Sequence, residues 1–79
     1  MILTITHPPS AQFDLKLNKP TTKQGSNTLI TFEDTVEAAD VMDKIADSLL
    51  TQMPGKSHST EFGRVISTPI GLFSFLLTT

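Results

Sequence analysis

A single amphipathic helix, delimited at both ends, constrains this chain more than any other feature. Asp34-Thr35-Val36-Glu37 reads as a capping box. In it Asp34 accepts from the exposed amides of the first turn, and Glu37 reaches back from three residues on. Ala38, Ala39, Met42, Ile45, Ala46, Leu49 and Met53 then recur at steps of three and four, the spacing that lines one side of a helix. Pro54 disfavours helical geometry at Met53, and Gly55 tolerates the turn that follows. The spacing therefore predicts a helix over residues 35–52. One helix has one apolar stripe to bury, and its cover has to come from the five short β-like runs around it.

Those runs differ in quality. Residues 1–6 place Met1, Leu3 and Ile5 on one side and Ile2, Thr4 and Thr6 on the other, an alternation rich in β-branched residues. Pro8 and Pro9 close this run, since neither can donate to a ladder. Residues 13–17 alternate strictly, with Phe13, Leu15 and Leu17 inward and Asp14 and Lys16 outward. A polar loop is expected over 18–27, around Pro20 and Gly25. Residues 28–32 form a third strand, the expected hairpin partner of the second. Beyond the helix, a polar connection over 56–61 leads to residues 64–68, and Pro69 separates these from a terminal run over 70–77. In that run Phe73, Phe75 and Leu77 fill one face, while Leu72 and Leu76 share the other with Ser74. Such a two-sided strand belongs in the middle of a sheet or under another chain. The order is β-β-β-α-β-β, which predicts an α+β two-layer sandwich: an antiparallel sheet of about five strands with the helix on one face.

Size and composition set the bounds. Seventy-nine residues make one domain, residues 1–79, that buries only ~60% of its unfolded surface, enough for a core of about a dozen side chains. With no cysteine, neither a disulfide nor a thiolate–zinc site can reinforce that core. Met1 leads straight into Ile2-Leu3-Thr4-Ile5 without a basic, then apolar, export signal, so a cytoplasmic protein is expected. The run over 70–77 falls far short of the ~20 residues that span a bilayer, so no membrane role is expected.

Little in the chain invites catalysis. His7 and His58 are the only histidines, and His58 with Glu61 lacks a third ligand, so neither metal nor other cofactor is expected. Pro54-Gly55-Lys56-Ser57 ends like a phosphate-binding loop, but Leu50 occupies the place of its first glycine. The helix there also precedes the loop, turning its negative end to any anion. Ser57-His58-Ser59 sets a base beside two hydroxyls without a nucleophile elbow. No catalytic residue is assigned. A small enzyme using His58 or the Gly55-Lys56-Ser57 loop is the remote alternative.

Charge is segregated instead. Glu37, Asp40, Asp43 and Asp47 form an acidic row on the helix, opposite the apolar stripe, and Lys44 is placed to pair with Asp40. Lys16, Lys19 and Lys23 collect in and beside the second strand, while residues 70–77 carry no charge. A formal net charge of −2, with three clustered lysines and no interleaved aromatic, argues against direct nucleic-acid binding. The acidic row is suited to another protein's basic surface, one that itself holds nucleic acid. The expected function is a non-catalytic protein-binding module with Glu37, Asp40, Asp43 and Asp47 as its contact residues. The alternative is a structural, self-associating subunit that forms a homodimer through the terminal strand carrying Leu72 and Leu77.

The layout resembles the small inhibitors carried by bacteriophages, of the anti-CRISPR type. What carries the resemblance is the arrangement of strands over 1–6, 13–17 and 28–32, the capped helix from Asp34 with its carboxylate row, and the two terminal strands. It implies a protein that inhibits by occupying a partner's surface and needs no cofactor.

Overall fold

A computed structural model describes residues 1–8 and 19–78 of the chain. Its elements are β1 (Ile2–Thr6), β2 (Thr21–Gln24), β3 (Asn27–Thr31), α1 (Thr35–Gln52), β4 (Lys56–Thr60), β5 (Gly63–Thr68) and β6 (Gly71–Thr78). All neighbouring strands pair antiparallel in one open sheet of order β2-β3-β1-β6-β5-β4. The architecture is the expected α+β one, but among the described residues the sheet has six strands rather than five.

The extra strands lie where the hydrophobic pattern is silent. The hairpin partner of β3 is β2, inside the stretch that reads as a polar loop. Gly25, at φ 59°, and Ser26 join them in a two-residue turn. A glycine with positive φ at its first position is the signature of a type II′ hairpin. The expected strand over 13–17 lies outside the described residues. β4 occupies the expected polar connection and pairs with β5 from Lys56↔Ser67 to Thr60↔Gly63. β2 and β4 are the two edges of the sheet and hold no apolar residue. Their backbone bonds to β3 and β5 place them, and neither signals a strand by alternation.

The hydrophobic strands fill the interior. β6 lies between β1 and β5, with Ile5↔Phe75 on one side and Ile66↔Phe73 on the other. Both its edges are therefore used within the chain, so a dimer cannot form by adding a strand to β6. Ile70 falls in the two-residue turn between β5 and β6 rather than in the strand. At the other end of β5, Gly63 lies so close to β6 that a Cβ would come within 1.8 Å of the Phe75 carbonyl oxygen.

The helix spans the residues its period predicts. The Asp34 carboxylate accepts from the Val36 amide at 3.0 Å, as an N-cap should. α1 leaves β3 beside Phe32, at the end of the sheet where β1 begins and β6 finishes, and delivers the chain to β4 at the opposite end. It thus runs diagonally and packs on the central strands β1 and β6. Beneath it, Leu3, Ile5, Ile30, Phe32, Ile66, Phe73 and Phe75 meet Ala38, Met42, Ile45, Ala46 and Leu49. These twelve side chains are the core among the described residues.

Candidate functional site

The acidic row sits on a rigid base, and the tertiary structure alters its electrostatics. Asp40, Asp43 and Asp47 keep 63%, 59% and 76% of their side-chain surface exposed. They do not stand as an unpaired row. The Lys44 ammonium lies 3.2 Å from Asp40, one helical turn back, as the spacing predicts. Arg64, reaching over from β5, sets its Nη1 at 3.2 Å from Asp43 and 4.0 Å from Asp47. Glu37 is in contact with Lys19. The row therefore flanks the helix–sheet border instead of lying wholly opposite the apolar stripe.

Arg64 is the residue that pattern reading missed. It shares the helix-side face with Ile66 and opposes Phe75 across the ladder, and only 18% of its side chain is exposed. Its Nε and Nη2 donate to the Ser57 hydroxyl at 3.1 and 2.7 Å, while Nη1 donates to Asp43. A buried guanidinium stem needs such partners, and they fix its planar fork. The signal was available in the sequence: Arg64 is the chain's one arginine, two residues from Ile66, at an inward position of an alternating run.

The basic loop is less separate from the helix than charge order suggests. Lys19 contacts Glu37 and also sits 5.9 Å from the centre of the Phe32 ring. The hydrogen bond its ammonium donates to Glu37, reinforced by the charges of Glu37 and Glu33, holds it above the ordinary lysine value. Six of the chain's eight carboxylates still fall between Glu33 and Asp47, and the cations paired with them include Lys19, Lys44 and Arg64. The helix side keeps an acidic surplus.

The residues considered for chemistry do not converge. Strand alternation in β4 turns Ser57 toward the helix side and His58 to the opposite face. Ser57 is occupied by Arg64, and His58 is exposed. Gly55 and Lys56 lead into the edge strand rather than into a helix N-terminus. Among the described residues, no three His, Asp or Glu side chains come together as metal ligands would. None of the described helices is long and apolar enough to cross a membrane.

Two apolar surfaces remain. At the end of the sheet where the helix begins, Met1, Thr35, Glu61, Phe62, Leu76, Leu77 and Thr78 line a cleft of about 570 Å³. On the far face of the sheet no described element covers Leu72 and Leu76, which are 60% and 41% exposed. Comparison with protein-family models, with curated proteins and with solved structures finds no match for the chain.

Proposed function

We propose that the chain is a non-catalytic protein-binding module whose acidic helix face docks on a basic surface of a partner protein, one suited to hold nucleic acid. One observation carries this reading: Asp40, Asp43 and Asp47 are exposed together, two of them tethered to the sheet through Arg64. A carboxylate held by a half-buried guanidinium loses less rotamer freedom on binding than a free one, which favours docking without rearrangement. Glu37 extends the acidic strip toward the helix start. Such a protein would act by occupying a surface, in the manner of the small phage inhibitors its layout resembles.

The test is neutralisation of the row. Asp40→Asn, Asp43→Asn and Asp47→Asn together should abolish capture of a partner from native lysate, with the helix signal in circular dichroism unchanged. Capture by the wild type should weaken steeply with salt. Undiminished capture by the triple variant overturns the reading.

A further inference from the structure

We propose that the open face of the sheet is a self-association surface, on which a second copy of this chain docks sheet to sheet. Registration of the six strands shows what that face presents. Thr22, Leu29, Thr4, Leu76, Gly63 and Thr60 form one continuous row across it. Ile2, Val65 and Leu72 add apolar surface on either side of this row, and Thr6, Ser74 and Asn27 add short uncharged polar groups. Among the described residues no strand position of the face carries a carboxylate, Glu61 lying in the turn beyond Thr60, and its basic groups are Lys56 and His58 on an edge strand. A solvated sheet face ordinarily carries charged residues at its outward positions, whereas depletion of charge is what marks the centre of a protein interface.

Charge and area both select a second copy as the occupant. Away from the β4 edge that carries Lys56 and His58, the described residues of the face offer neither cations for an acidic partner nor carboxylates for a basic one. The uncharged centres of two such faces meet without repulsion, and closing them turns both acidic helices outward, away from each other. A two-fold arrangement lets the same patch serve both copies. Six strands ~4.8 Å apart, rising ~3.3 Å per residue, make a face about 25 Å across and about 17–26 Å along the strands. That is roughly 500 Å² in projection, before the relief of the side chains is counted. Two copies would then bury on the order of 1,000–1,300 Å², at the threshold of specific interfaces. The row of Leu29, Thr4 and Leu76 would form its centre.

Sedimentation equilibrium on the full chain tests this directly. The wild type, from micromolar to millimolar concentration, should pass from 8.6 kDa toward twice that mass. Leu76→Glu should weaken association at least about tenfold, because it buries an unpaired carboxylate in the contact. Leu72→Glu, at a more exposed position, makes the same test if Leu76→Glu fails to fold. Val36→Glu, an equally large change on the helix side, should leave association unaltered. A wild type that stays at 8.6 kDa throughout overturns the proposal, and so does a dimer indifferent to the two leucine variants. Because the acidic row lies on the other layer, the Asp40, Asp43 and Asp47 triple variant should dimerise normally whether or not its partner binding fails.

Discussion

The two faces of one sheet follow opposite rules. On the helix side, Leu3, Ile5, Ile30, Phe73 and Phe75 are fully covered, and the charges that border them, Arg64 and Lys19, are paired with acids of the helix. On the far side, threonine and serine alternate with partly buried Leu29, Ile2 and Val65, and none of the described elements lies above them. β6 shows the contrast within eight residues: Phe73 and Phe75 point into the core, Leu72 and Leu76 out of it. One face holds the fold together. The other has apolar surface beyond what folding requires, and that surplus is what makes it a candidate for contact with another molecule.

Substitutions at adjacent positions of β6 should separate the faces most clearly. Phe75→Ala removes a buried ring from the centre of the core and is expected to cost about 3–5 kcal/mol in urea denaturation. For a domain with a total of ~5–15 kcal/mol, that is a large part of its stability. Leu76→Ala, one residue on, should cost less than about 1 kcal/mol in the monomer, since its side chain is already half in water. Equal losses at the two positions would mean that the outer face is covered within the chain.

A smaller effect probes the border between helix and sheet. Arg64→Ala strands the Ser57 hydroxyl and frees Asp43 and Asp47, and about 1–2 kcal/mol should be lost. Exposure of the two aspartates keeps the ionic share of that loss low. The same variant should make the acidic helix more negative, so a partner with a basic surface should associate faster with it at low salt. A slower association would break the link between Arg64 and the docking face.

The smallest expected change concerns Lys19. Its ammonium is held above the ordinary lysine value of 10.5 by Glu37, so the contribution of this pair is fully present below that pH. It is lost as pH rises through the higher folded value. Urea midpoints measured from pH 9 to above 11 should fall slightly more for the wild type than for Glu37→Gln. Parallel curves would show that the contact contributes nothing to stability.

The legibility of the fold follows the same division. The helix was readable to its ends, because cap, period and stop all depend on residues adjacent in sequence. β1, β3 and β6 were readable wherever one face is buried, since burial imposes alternation. β2 and β4 were not, because an edge strand of threonine, serine, lysine and glutamine leaves no hydrophobic trace. Gly25-Ser26 between two polar runs was the one local clue to the first of them. In the acidic row, the Asp40–Lys44 pair was legible as neighbours on one helix. The pairs of Arg64 with Asp43 and of Lys19 with Glu37 join residues far apart in the chain.

Residue order alone carries one capped helix, an alternating sheet to cover it, and the separation of an acidic row, a basic cluster and an uncharged terminal run. Each of these is set by local geometry or by the period of burial, and both are written residue by residue. The sheet order, which puts β6 inside and the polar strands at the edges, emerges when the chain folds. The same order brought Arg64 and Lys19 to the helix acids and left the far face of the sheet, among the described residues, uncovered and without charge at its centre. Strand order depends on which distant segments satisfy one another's backbone bonds and apolar faces, and no local pattern carries that choice.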